Sequence, residues 1–254
     1  MTPLRLVHLY PDLMNVYGDR GNIIALERRA AWRGIEVQVR GCTLGERFDP
    51  QETDLIFFGG GQDREQAVVA DDLVERKARA IREAVGNGAA LLSVCGGYQL
   101  LGKYFRTATG EEIPGIGLFD AWTVAGSQRC IGNIVLSCDW DPARRTLVGF
   151  ENHSGKTYLG PGCGPLGQVI QGFGNNGEDG TEGAVFRAAF GCYLHGSLLP
   201  KNPWFADHLL TLALRRRVGS GAQLTKLDDR LEDMAHETVV ARTRQLGRVR
   251  SGVH

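Results

Sequence analysis

Apolar and polar positions fall in blocks along the first hundred residues, and the blocks switch between strand and helix spacing. Leu4 to Tyr10 is a short apolar run and predicts a first strand. Asp19 to Arg33 follows helical spacing, with Ile23, Ile24, Ala30 and Ala31 on one face and Asp19 as N-cap. Gly34 ends that helix, and Ile35 to Arg40 predicts a second strand. Asp54 to Phe58 predicts a third, running into Gly59-Gly60-Gly61. Gln66 to Val85 reads as a long amphipathic helix, closed by Gly86-Asn87-Gly88. Ala89 to Val94 is apolar almost throughout, a buried strand bounded by Gly88. Leu100, Leu101, Tyr104 and Phe105 then recur at helical spacing. This β-α-β-α order predicts an α/β fold, a mostly parallel sheet flanked by helices. Its functional edge is expected at the C-terminal ends of the strands, where Gly59–Gly61 and Cys95 both fall.

From Gly115 to Leu199 the texture changes. Glycine is frequent, and β-like segments follow one another at 133–137, 147–150, 167–171, 183–190 and 191–195. They predict added meander strands that partly extend the main sheet. Residues 174–183 form a turn-rich stretch, expected to be a mobile loop. Trp204 to Arg217 predicts a helix packed through Phe205, Leu209, Leu210, Leu212 and Ala213. Leu227 to Gln245 predicts a charged helix with a thin apolar stripe of Leu231, Met234, Ala235 and Val239, facing either this domain or a partner. With no repeats and no clear linker, residues 1–254 read as one domain, with 227–254 as C-terminal helix and tail.

Composition narrows the function classes. Lys and Arg number 29 and Asp and Glu 29, so bulk charge gives no case for nucleic acid or an anionic membrane. No apolar run approaches the roughly 20 residues that span a bilayer, and the N-terminus lacks a signal-peptide pattern. The six cysteines are irregularly spaced with no C-x-x-C. They read as free thiols rather than a disulfide framework or a metal site, and a cytoplasmic location is expected.

The chemistry concentrates at Ser93-Val94-Cys95-Gly96-Gly97-Tyr98-Gln99. A cysteine between a buried strand and a helix forms a nucleophile elbow, whose tight turn exposes the side chain and whose glycines let it close. A helix starting there points free N–H groups at the sulfur, a setting that favours the nucleophilic thiolate. Such a nucleophile needs a base. Among six histidines, His254 is terminal, His8 lies in the first strand, and His208 and His236 lie in helices. His195 ends an apolar run and precedes Gly196, at a strand edge suited to face the elbow. His153, expected in a turn after another strand, is the weaker alternative. The glycine triplet lacks the G-K-[ST] ending and the G-x-G-x-x-G frame, so nucleotide binding is rejected.

Three ordered motifs carry a family resemblance: residues 94–102 around Cys95, Gly149 to Thr157 around His153, and Gly191 to Gly196 around His195. They resemble class I glutamine amidotransferase domains, a flavodoxin-like fold, in the branch of the cobyric and cobyrinic acid synthases. Tyr17 to Asn22 and the absence of a fused ATP-using domain resemble the GatD-type glutaminase subunits of lipid II isoglutaminyl synthases. The resemblance implies that Cys95 attacks the side-chain amide of L-glutamine and that His195 moves the protons. Gly96 and the Gly59–Gly61 turn, Gly60 at its centre, would supply oxyanion-hole N–H groups, each worth about 3 kcal/mol. Gln99 matches a glutamine-contacting position, and Arg129 would clamp the substrate carboxylate.

The resemblance also implies a partner. This chain carries no cofactor of its own in that reading. ATP and Mg belong to a MurT-type, Mur-ligase-like subunit that activates the D-glutamate α-carboxyl of the lipid II stem peptide. A heterodimer is expected, docked near the elbow mouth over an apolar-rimmed surface. Many class I domains carry a glutamate two residues after the histidine, but Ser197 stands there. A Cys-His dyad is therefore the working arrangement, and an orienting acid has to come from elsewhere in the chain or from the partner. Two other readings compete: an amidotransferase for another acceptor such as a corrinoid acid, and a different cysteine-elbow hydrolase or silent binding subunit.

Overall fold

A computed structural model describes residues 2–15 and 19–251, with the backbone alone over 244–251. Tyr17 and Gly18 of the N-terminal motif, and tail residues 252–254 with His254, lie outside the described residues. The apolar runs of the first half form the main sheet: β1 (Leu4–Leu9), β2 (Val37–Cys42), β3 (Leu55–Phe58) and β4 (Ala90–Val94). Two later strands join them, β11 (Ala184–Phe186) and β12 (Ala189–Cys192). The order is β11-β12-β4-β3-β1-β2, parallel except for the edge strand β11.

Both faces of the inner strands are covered, which is why β3, β4 and β12 are buried along their whole length, whereas the edge strand β2 is largely exposed. Val7, Leu9, Ile56, Phe58 and Leu91 pack with Val69, Leu73, Ile81 and Val85. These last come from α2 (Asp63–Asp72), a π-helical turn at Leu73–Lys77, and α3 (Ala78–Gly86). On the other face Leu6, Phe57, Ala90 and Leu92 meet α1 (Arg20–Ala31) and α5 (Pro203–Val218). The buried side of α1 is Ile23, Leu26 and Ala30, whereas Ile24 and Ala31 face solvent. Arg29, nearly buried, bridges α1 to Asp207 and Asp229 at 2.7 Å each. Among the described residues no helix is long and apolar enough to cross a membrane.

The second half extends the main sheet in part, as expected, but does more than that. It builds a sheet of its own from β5 (Tyr104–Arg106), β6 (Glu112–Pro114), β7 (Ala121–Ser137), β8 (Thr146–Leu159), β9 (Gly167–Gln171) and β10 (Thr181–Glu182). Only β11 and β12 extend the main sheet. The β7–β8 ribbon is long but interrupted between Ala125 and Cys130 by a bulge of polar residues, which hid it from a pattern reading. The elbow helix α4 (Gly96–Leu101) is also shorter than its spacing suggested. Gly102 turns extended, and Tyr104 and Phe105 pair into the second sheet instead.

The loop 174–183 is pinned rather than loose. Asn175 and Asn176 are buried, and their amides bond Gly183, Thr157 and Asp179. The last helix, α6 (Arg230–Ser251), packs on this chain's own second sheet through Val240 against Val135 and Val148. His236 fixes it to Lys201 O at 2.9 Å and Thr146 Oγ1 at 2.8 Å. Of the expected stripe, Leu231 and Met234 point to solvent.

Candidate active site

Cys95 sits between β4 and α4 with φ +51° and ψ −112°. A non-glycine residue with positive φ is strained, and such strain persists where surrounding structure holds it. Here the Cys95 N–H donates to Cys192 O of β12 at 2.8 Å, and the Gly97 N–H donates to Gly59 O at 3.1 Å. Gly97 is packed against the glycine turn. A Cβ there would lie 2.6 Å from Phe58 O and 2.7 Å from Gly59 O. Gly97→Ala is therefore expected to destabilise the chain by about 1–3 kcal/mol, read as a lower urea midpoint. An unchanged midpoint would contradict this close approach.

His195 lies three residues past the end of β12, as its strand-edge position suggested. Its backbone bridges to Phe150 of β8, with His195 N–H donating to Phe150 O at 2.8 Å. The imidazole is nearly buried, and its Nδ1 is 3.8 Å from Asp19 Oδ1. Burial pushes the ring's pKa down. Hydrogen bonding and charge from Asp19 and Cys95 outweigh that push and raise it to about 10. An imidazolium flanked by a sulfur and a carboxylate suits a nucleophile–base–orienter arrangement.

Cys95 opens into a cavity of about 490 Å³ that Gln99, Arg129 and His153 also line. Gln62, Asp63, Arg64, Asn152 and Ser154 line it too, with Phe105 as the one large apolar side chain, so the lining is mainly polar where an apolar rim was expected. Arg129 stands on the β7 bulge, and its Nε donates to Asn152 Oδ1 at 2.7 Å. His153 lies within β8 rather than in a turn after a strand. Its ring stacks on Tyr193 at 3.7 Å, and its Nδ1 is 2.8 Å from Gly155 O. Burial lowers its pKa to about 4, so it is neutral near pH 7, a wall of the cavity and not a competing imidazolium.

Residues 5–203 match the CobB/CobQ-like glutamine amidotransferase domain. The chain belongs to this family. It is 42% identical over 237 residues to the "Lipid II isoglutaminyl synthase (glutamine-hydrolyzing) subunit GatD" of Streptococcus pneumoniae, covering 92% of this chain and 90% of that protein. The Staphylococcus aureus subunit of the same name is 40% identical, with coverage of 95% and 97%. A cobyric acid synthase of Pelotomaculum thermopropionicum is 32% identical, but only 34% of its length is matched. Among solved structures, PurLQS of Thermotoga maritima superposes with a TM-score of 0.55 at 17% identity, covering 95% of this chain and 99% of that one. The glutaminase domain of Trypanosoma brucei CTPS gives 0.56 at 11%, covering 88% and 98%. These last two likenesses bear on the fold, which is the α/β arrangement expected.

Two features of this amidotransferase site were not legible in its motifs. Asp19 is fully buried at the N-terminus of α1, but its side chain makes no cap bond there. It reaches across to His195 with Oδ1, while its Oδ2 accepts the Gly60 N–H at 2.7 Å. Gly60 is thereby removed as an oxyanion donor. Gly61 packs directly on the elbow: a Cβ on Gly96 would lie 2.7 Å from Gly61 O and 2.9 Å from Gly61 N. The sequence offered Asp19 only as the residue before α1, ten positions past the end of β1, which reads as a helix cap.

Proposed function

We propose that this amidotransferase is the glutaminase subunit of a lipid II isoglutaminyl synthase, with residues 1–254 acting as one domain. The observation that supports it is the strained Cys95 elbow beside an imidazole that Asp19 and Cys95 hold charged. The extent of similarity to the two GatD subunits favours this acceptor over a corrinoid acid, since the cobyric acid synthase is matched over only a third of its length.

In this reading Cys95 attacks the carboxamide carbon of L-glutamine. The oxyanion is met by the N–H groups of Gly96 and Gly61. His195 protonates the departing ammonia, then takes a proton from the water that cleaves the γ-glutamyl thioester. Asp19 orients His195 from within the chain, so the partner need not supply an acid. Arg129 receives the substrate α-carboxylate as a planar fork. Ammonia then passes to a MurT-type, Mur-ligase-like subunit, which would bind ATP and Mg²⁺ and activate the D-glutamate α-carboxyl of the lipid II stem peptide. Water would protonate free ammonia, so the partner is expected to close over the cavity. The location proposed is cytoplasmic.

The test is covalent labelling with diazo-oxo-norleucine followed by peptide mass spectrometry. A single adduct on Cys95 is expected, absent in Cys95→Ser and slowed in His195→Ala. Labelling that appears only with the ligase partner would mean that the partner completes the site. No adduct under either condition would sink the amidotransferase mechanism.

A further inference from the structure

Beneath the cavity floor a polar chain links the two motifs that frame the site. Gln99, one helical turn beyond Cys95, donates through Nε2 to the Tyr193 hydroxyl at 3.0 Å. That hydroxyl lies 2.7 Å from Thr157 Oγ1, which in turn lies 2.7 Å from Thr123 Oγ1. Tyr193 is itself held on every side. Its ring stacks on His153 and meets Tyr98 edge-on at 5.4 Å, and its N–H donates to Glu182 Oε1 at 2.5 Å. It is fully buried, and burial pushes its phenol above the ordinary range, so it stays a neutral hydroxyl.

We infer that Tyr193 is a positioning residue for substrate recognition: its hydroxyl holds the Gln99 amide so that Oε1 faces the cavity as an acceptor for the α-ammonium of glutamine. This rests on the glutamine-site reading above. An amide bound through its N–H₂ has its carbonyl left to accept. Gln99 lines the cavity, and its Oε1 accepts no hydrogen bond among the described residues. Glutamine offers three polar groups. Its carboxamide belongs at Cys95 and its carboxylate at Arg129, which leaves the ammonium, a donor without acceptor capacity. Gly155 reinforces the clamp from β8. A Cβ there would lie 2.5 Å from Gln99 Nε2, so any larger residue would push the amide out of place.

The test compares L-glutamine with glutaramate, the same molecule without its α-amino group, using the full chain with its ligase partner. Tyr193→Phe keeps the ring and removes only the hydroxyl. It is expected to raise KM for glutamine about tenfold, to leave kcat within about twofold, and to leave KM for glutaramate unchanged. Gly155→Ala should give the same selective loss. In a Gln99→Ala background Tyr193→Phe should add nothing. Equal losses on both substrates, or an unchanged KM for glutamine, would overturn the inference. If the unmodified chain hydrolyses neither substrate and takes no label at Cys95, it is the glutaminase reading that has failed.

Discussion

Replacing Cys95 with alanine is expected to lower glutamine hydrolysis by about 10⁵- to 10⁶-fold, the scale on which a covalent catalyst loses its nucleophile. The geometry makes so large an effect reasonable because no other thiol can stand in. Cys42, Cys130, Cys138 and Cys192 are buried, and burial pushes each of these thiols above its ordinary range. Cys163 is shifted the same way and does not line the cavity. His195→Ala should cost nearly as much, and the double variant little more, since the two act as one unit. Ammonia release measured by a coupled assay checks all three. A Cys95→Ala chain that still released ammonia within tenfold of the parent would remove the covalent mechanism. The fold should survive the change, because Cys95 is only partly buried and its backbone hydrogen bond to Cys192 is retained.

The elbow was legible because everything that makes it is local: a buried strand, a cysteine and two glycines in eight residues. His195 was legible for the same reason, as an apolar run ending at a sheet edge. Elements failed to show where the decisive contact was distant. Tyr104 and Phe105 sit at helical spacing, but pairing with Ile113, Pro114 and Thr123 overrides it. β7 was read only from Asn133 because Gly126 to Arg129 interrupts its alternation, and that interruption is the bulge that carries Arg129 to the cavity. The loop 174–183 looked mobile from its glycines and asparagines. Its order comes from buried amide bonds to β8 and the β11 side, which composition cannot convey. Asp19 was read as a helix cap, the common use of an aspartate before a helix. Its true contacts are with Gly60 and His195, far away along the chain.

Asp19→Asn is expected to lower kcat by about 10²- to 10⁴-fold, the range seen when a catalytic histidine loses its carboxylate. The carboxylate has two acceptor oxygens, and both are used: Oδ2 takes the Gly60 N–H and Oδ1 faces His195 Nδ1. An asparagine has one acceptor and one donor group. Turned one way, its N–H₂ confronts the Gly60 N–H and loosens the glycine turn beside Gly61. Turned the other, it confronts the imidazolium. Neither orientation restores both contacts, so the variant disturbs the base and the oxyanion turn together. The pH profile separates this from a general loss of structure. Asp19 is a leading cause of the raised His195 pKa, set against burial, which lowers it. In the parent the imidazolium is present below about pH 10 and is lost as pH rises through that value. Without the carboxylate the His195 pKa falls, and the alkaline limb of kcat/KM moves to lower pH. Thermal unfolding should stay cooperative, because the substitution is nearly isosteric in a fully buried position. A variant with full kcat and an unmoved alkaline limb would show that Asp19 does not orient His195. The dyad would then have to find its acid in the partner subunit.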